Sequence, residues 1–141
     1  RQSGGGWAVR IARTGELRGA AFDLNDTPDL LPACAVLGCF ARGTTRLFNV
    51  AHARIKETDR IAVLAAELAK LGAQCRELPD GLEIRGTTLN GGLRPAVLNG
   101  HGDHRVVMAL ATAGLAITGG VTVTGAEAAS VTYPGYLPLL R

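Results

Sequence analysis

Five of the seven residues in Arg54-Ile55-Lys56-Glu57-Thr58-Asp59-Arg60 are charged. The run falls where a strand pattern gives way to a helix pattern. A helix amino terminus offers unpaired N–H groups and the positive end of a dipole, and both favour anions. Lys56 and Arg60 are four apart, so one helical turn would put both on one side, as a seat for phosphate or carboxylate. Glu57 among these cations invites an acid/base role. The competing reading is a solvated first turn whose local ion pairs contribute little.

Asp103-His104-Arg105 stands at another helix start. Asp103 is a natural cap, and Arg105 carries a planar fork suited to a carboxylate or phosphate. The alternative is a cap followed by two exposed residues. Asn25-Asp26-Thr27-Pro28-Asp29 is, taken alone, helix-start chemistry. All three clusters lie where a strand hands over to a helix, so one fold could gather them at one end of a sheet.

The elements that must do the gathering can be read from periodicity and punctuation. Strands are expected over 8–12 and 19–22, with a turn at Thr14-Gly15. A helix should open at 26–29, capped by Asp or Thr with Pro28 in its first turn, and run to about Ala41 before Gly43 stops it. A strand follows over 44–50. Ile61, Leu64, Ala65, Leu68 and Leu71 form one apolar stripe, with Gly72 at the C-cap position. Strands over 73–78 and 82–85 flank the Pro79-Asp80-Gly81 turn. A loop over 87–92 and a short strand over 96–98 come next. The third helix starts near Asp103, carries Val106, Ala109, Leu110, Ala113 and Ile117 on one face, and ends at Gly119-Gly120. A strand over 121–124 and an irregular tail complete the chain.

Strand, acidic helix start, Ala-rich helix, Gly and strand occur at about 20–49 and again at about 96–125. The expected class is α+β, with repeated βαβαββ units whose helices pack on one side of small sheets. The whole of 1–141 is expected to form a single domain, with a partial unit at 1–22, a full unit at 20–86 and a truncated one at 93–141. The chain is therefore expected to be cut from a longer protein.

Composition bounds the function. The 141 residues are 47% hydrophobic and only 4% aromatic, so the core must be built from Ala, Leu, Val and Ile. No apolar run nears the roughly 18 residues of a membrane span. The first six residues lack a signal-peptide core, which makes the cytoplasm the expected location. Cys34, Cys39 and Cys75 form no C-x-x-C pair and are expected to be buried, reduced thiols without a chemical role. The three His do not share ligand spacing with any Cys pair, so no metal is expected. A net charge of +3 permits nucleic-acid binding, but the basic residues form no run and no aromatic platform accompanies them. Small anionic metabolites fit this charge better.

At these residues the sequence resembles a known family. KETDRI at 56–61, GDHR at 102–105, DLNDTPDLLP at 23–32 and YPGY at 133–136 are similar to the carboxyl-terminal half of the 3-phosphoshikimate 1-carboxyvinyltransferases, or EPSP synthases. The likeness runs from about Leu17 to Leu137. The sister family acting on UDP-N-acetylglucosamine shares the fold but not the pair KETDR and DHR. The resemblance implies part of one domain of a two-domain enolpyruvyl transferase fold, each domain having three βαβαββ units that close over substrate. The amino-terminal domain would be the missing partner, and this chain would be inactive alone.

The resemblance also implies roles. Asp29 would take the proton from the 5-hydroxyl of shikimate-3-phosphate, and Glu57 would protonate the phosphoenolpyruvate methylene with Lys56 beside it. Arg60 and Arg105 would hold phosphoenolpyruvate, with His104 in the same motif and His52 as a polar contact to phosphoshikimate. No metal or organic cofactor is implied. One position departs from the family pattern: a lysine often precedes the terminal aromatic-Pro-Gly motif, and here Val131 stands there. A non-catalytic anion-binding module that keeps the fold is the alternative this departure raises.

Overall fold

The computed structural model describes residues 2–3, 6–7, 10, 12, 15–87 and 92–140. At the amino terminus β1 (Gln2–Ser3) and β2 (Gly6–Trp7) pair antiparallel. The strand expected over 8–12, its turn at 14–15 and the loop at 87–92 fall largely outside the described residues.

The main body starts with a parallel crossover. β3 (Ala21–Asp23) leads through α1 (Leu31–Phe40) to β4 (Thr44–Phe48), with Ala21 opposite Arg46 and Asp23 opposite Phe48. After α2 (Arg60–Lys70), the hairpin β5 (Gln74–Leu78) and β6 (Gly81–Arg85) completes a four-stranded sheet. β6 slots between β4 and β5, giving the order β3-β4-β6-β5. A second parallel crossover follows: β7 (Val97–Asn99), α3 (His104–Gly114) and β8 (Thr122–Thr124), with Leu98 opposite Val123.

Side-chain alternation decides which face the helices cover. Thr45, Leu47, Leu82 and Ile84 are buried, while Arg46, Arg76 and Glu83 point the other way. The outer face is polar, with an Arg76–Glu83 pair at 2.9 Å and the Arg46 guanidinium 5.7 Å from the Phe48 ring centroid. The inner face joins one apolar cluster with Leu31 and Val36 of α1, Ile61, Leu64 and Leu68 of α2, and Leu110 of α3. The α2 stripe of Ile61, Leu64, Leu68 and Leu71 is fully buried. Each such side chain contributes about 1.5–3 kcal/mol before conformational entropy is counted. The fold is thus α+β with its helices on one side.

Helix ends follow their caps. Asp59 accepts from the Ala62 N–H at 3.0 Å and starts α2. At the other end Gly72 takes φ +90°, and the Gly72 and Ala73 N–H groups reach back to Ala69 and Leu68 in a Schellman arrangement.

Two expected boundaries differ. No side chain caps the first helix: 28–30 is a 3-10 turn, α1 starts at Leu31, and Asp26 accepts from Asn25 instead. The third helix ends at Gly114 rather than Gly119-Gly120, because the N–H groups of 115–117 already bond in tighter three-residue turns.

All three cysteines are free, but only Cys39 is buried. Cys34 and Cys75 are partly exposed, which corrects the expectation of three buried thiols. Burial holds the Cys34 thiol above its usual range. Among the described residues no helix is long and apolar enough to cross a membrane.

Candidate active site

The three polar clusters meet around one guanidinium. Arg60 opens α2 with its side chain only 1% exposed. Its Nε donates to Asp103 Oδ2 at 2.6 Å, Nη1 to Asp29 Oδ1 at 2.8 Å and Nη2 to Glu57 Oε2 at 2.7 Å, with a longer Nη2 contact to Asp103 Oδ1 at 3.3 Å. Three carboxylates from three helix starts therefore converge on one cation. Burial works against the Arg60 charge, but Asp103, Asp29 and Glu57 outweigh it and raise its pKa.

Asp103 is fully buried and has two tasks. Its Oδ1 accepts from the N–H groups of Arg105 (2.9 Å) and Val106 (3.3 Å), which caps α3, while its charge neutralises Arg60. The place of Asp103 before a helix pattern announces the cap but not the ion pair. An acidic cap gives no hint of its long-range partner; an arginine at another helix start was the only available signal.

Asp29 lies on the 3-10 turn at 28–30, which packs against the turn Ala51–Ile55. Its second oxygen meets Arg105 Nη2 at 2.9 Å. Slight burial pulls the Asp29 pKa upward. The hydrogen bond from Arg60 and the charges of Arg105, Arg60 and Lys56 prevail and hold it below the usual carboxylate range.

Glu57 pairs with Arg60, and His104 Nδ1 lies 3.7 Å from its other oxygen. His104 Nε2 is buried and without a hydrogen-bond partner among the described residues. Such an atom fits a site that expects a polar group from a ligand.

Lys56 is placed differently from its expectation. It follows the turn Ala51–Ile55 in an extended conformation and precedes the helix, so it shares no helical face with Arg60. Its exposed charge still acts on Asp29. His52 sits half-buried in that turn, and no hydrogen bond or ion pair joins it to the cluster. Val131 is 78% exposed at the end of the 3-10 turn Ala126–Val131, which packs on α3.

Arg54, at the head of the charged run, is scaffolding. It donates to Asp59 (2.8 Å), Pro79 O (3.1 Å) and Leu78 O (2.7 Å) and pairs with Glu77 at 2.7 Å. This fixes the α2 cap to the β5–β6 turn. Tyr136 does similar work, with its hydroxyl donating to Met108 O at 3.0 Å and hydrogen-bonded to Thr112.

A groove of about 400 Å³ leads away from Asp29 and Arg105 between α1 and α3, past Val36, Leu37 and Met108 to Tyr136. Its walls are apolar, so anionic groups would seat at the Asp29–Arg105 end. Among the described residues no group of three His, Cys, Asp or Glu side chains could hold a metal ion.

Residues 3–140 match the sequence model of the family described as EPSP synthase (3-phosphoshikimate 1-carboxyvinyltransferase). Relatives carrying the name 3-phosphoshikimate 1-carboxyvinyltransferase include one from Ruminiclostridium cellulolyticum, 54% identical over 89% of this chain. Another, from Acetivibrio thermocellus, is 52% identical over 96% of this chain. The chain spans 29% and 31% of their respective lengths. Among solved structures, EPSP synthase from Acinetobacter baumannii superposes with a TM-score of 0.81 at 30% identity, covering 88% of this chain and 29% of its own. The enolpyruvyl transferase NikO from Streptomyces tendae shares the fold, with a TM-score of 0.66 at 24% identity over 91% of this chain and 28% of its own.

Proposed function

The chain belongs to the EPSP synthase family, and we propose that it forms part of an enzyme that transfers the enolpyruvyl group of phosphoenolpyruvate to the 5-hydroxyl of shikimate-3-phosphate, releasing phosphate. The observation that carries this reading is the convergence of Asp29, Glu57 and Arg105, from three separate helix starts, around the buried Arg60.

The chemistry calls for these groups. Addition of an alcohol to the enol carbon of phosphoenolpyruvate needs a base at the hydroxyl and an acid at the methylene. Expulsion of phosphate from the tetrahedral adduct needs a base to take a proton back from the new methyl group and an acid to protonate the leaving phosphate oxygen. Asp29 would act at the hydroxyl and Glu57 at the methylene, two carboxylates set apart by their surroundings. Lys56 and His52 would face phosphoshikimate, and His104 would line the phosphoenolpyruvate end.

The two arginines are not equivalent. Arg105 has a side chain over a third exposed that pairs, among the described residues, with the partly exposed Asp29, so an incoming phosphate or carboxylate can take it over. Arg60 is enclosed by three carboxylates, and it reaches a ligand only where Asp29 or Glu57 lets go. Phosphoenolpyruvate would thus capture Arg105 and relieve Asp29 of one cation, which makes Asp29 a better base when the substrate arrives.

A chimera tests the proposal: this chain replaces the matching segment of the Acetivibrio thermocellus relative, and phosphate release is measured with both substrates. The chimera should turn over, and the chain alone should not. Asp29→Asn or Glu57→Gln in the chimera should lower kcat by about 10²–10⁴-fold. Near-normal rates in those variants would remove the assignments.

Val131 supports a second reading, an anion-binding module without catalysis, since a cation familiar in the family is replaced by an exposed apolar side chain. An inactive chimera that regains turnover with Val131→Lys would favour it.

A further inference from the structure

Glu67 lies two helical turns beyond Arg60 on α2 and is 2% exposed. Its carboxylate is completely used. Oε1 accepts from Lys70 Nζ at 2.8 Å and from His101 Nε2 at 2.8 Å. Oε2 accepts from Lys70 Nζ at 2.7 Å and from the Asn99 backbone N–H at 3.0 Å. An ionised carboxylate has no proton to give, so His101 Nε2 carries the hydrogen. Burial pulls the Glu67 pKa upward, yet the bonds from His101, Lys70 and Asn99 keep it below its ordinary value.

Two of those partners belong to the turn that delivers α3. Asn99 ends β7, Gly100 and His101 follow, and Asp103 caps the helix. The turn is under constraint. His101 takes φ +51° and Gly102 φ +71°, a left-handed pair that is costly for a residue with a side chain. A Cβ at Gly100 would stand 2.2 Å from Val107 Cγ2. The His101 N–H bonds Asn99 Oδ1 at 2.8 Å, and the Asp103 N–H bonds Gly100 O at 3.0 Å. One helix therefore grips the turn twice, through Glu67 at its start and through Arg60–Asp103 at its end. Residues seven apart lie on one helix face, about 10 Å apart along the axis.

We propose that Glu67 is a positioning residue: by clamping Asn99 and His101 it fixes the turn that sets Asp103, His104 and Arg105 in the site, and so governs phosphoenolpyruvate affinity without touching substrate. This rests on the functional reading above. A side chain of purely structural value would be served by an apolar residue on the buried face of α2. A carboxylate with four hydrogen bonds from three donors, two of those donors on the turn ahead of Arg105, holds geometry that an apolar contact cannot.

The test uses the active chimera. Glu67→Ala should raise KM for phosphoenolpyruvate about tenfold or more, the scale of a misplaced binding group. KM for shikimate-3-phosphate should stay within twofold, and Val63→Ala, a partly buried position on the same helix, should leave both unchanged. A phosphoenolpyruvate KM within twofold of the parent in folded Glu67→Ala, or a rise that Val63→Ala reproduces, overturns the proposal. Should Glu67→Ala not fold, Glu67→Gln keeps the volume but cannot accept all four hydrogen bonds, and it should raise that KM at least about threefold; no change overturns the proposal. Hydrogen exchange on the chain itself separates this idea from the functional one. Glu67→Gln should expose the Asn99 and Asp103 amides ahead of the β4 and β6 amides. If protection there is unaltered the clamp is refuted, whether or not the chimera turns over.

Discussion

Replacing Arg60 with methionine asks how much the central guanidinium contributes, and the structure says which partner decides the answer. Asp29 and Glu57 are more than two-fifths exposed, so water can solvate them once the arginine is gone. Each of those pairs is worth at most about 1 kcal/mol. Asp103 is different. It is fully buried, and without Arg60 its carboxylate keeps only the N–H groups of Arg105 and Val106. Removing one member of a buried pair typically costs about 3–5 kcal/mol, because the other charge is left uncompensated.

That is a large part of a domain stability of about 5–15 kcal/mol. In urea at pH 7, with a slope of about 2 kcal/mol/M, the Arg60→Met midpoint should fall by about 2 M. Asparagine at 103 can still cap α3 but carries no charge. Arg60→Met/Asp103→Asn should therefore recover about 2 kcal/mol, while Asp103→Asn alone destabilises by leaving Arg60 underpaired. A loss under about 1 kcal/mol in Arg60→Met, or single costs that add within about 0.5 kcal/mol in the double variant, would refute the reasoning.

Other consequences follow from the same contacts. Asp29, Asp59 and Glu67 all have lowered folded-state pKa values, so their stabilisation is complete above the unfolded values of about 3.9–4.3 and is lost as pH falls through the folded ones. The melting temperature should hold between pH 5 and 7 on this account, to within about 2 °C, and drop below about pH 4; a flat profile to pH 3 would contradict it. Gly100→Ala should cost about 1–3 kcal/mol in denaturant titration, since its methyl collides with Val107. Arg54→Ala should cost about 1–2 kcal/mol and fray the start of α2 first, visible as faster exchange of the Ala62 amide.

How much of this could be read in the letters depends on the range of the interaction. The α2 stripe, its Gly72 stop and the Asp103 cap are local effects, and the spacing of Ile61, Leu64 and Leu68 announces them. The first helix starts later than its letters suggest because Asp26 and Thr27 look like caps, whereas Asp26 accepts from Asn25 and the turn at 28–30 presents Asp29 to Arg60 and Arg105, residues distant in the chain. Lys56 and Arg60 look like one helical face only if the helix begins before Lys56, and the Asp59 cap sets its start later. The meeting of Asp29, Glu57, Arg60 and Arg105 depends on crossover geometry. Periodicity alone leaves it open, while the shared place of the clusters at strand-to-helix hand-overs and the family resemblance both point to it. Glu67 carried no signal beyond being the lone acid among Leu and Ala.

The cluster's charge balance explains why it can stand assembled without substrate. Asp29, Glu57 and Asp103 are matched by Arg60, Arg105 and the nearby Lys56, so the site needs no anion to hold together. Yet only the inner part of this balance is protected from water. The Arg60–Asp103 pair is enclosed and forms a fixed post, while Arg105, Lys56, Asp29 and Glu57 form an outer ring that solvent reaches. Exposed ion pairs exchange partners at little cost. A doubly anionic ligand can therefore trade places with Asp29 at Arg105 while the post keeps every backbone position. On that view inorganic phosphate binding should raise the Asp29 pKa, followed by carboxylate NMR, and should leave the Arg60–Asp103 pair in place. An Asp29 pKa unchanged or lowered at saturating phosphate would mean that the anion does not take Arg105 from Asp29, and the exchange scheme would fail.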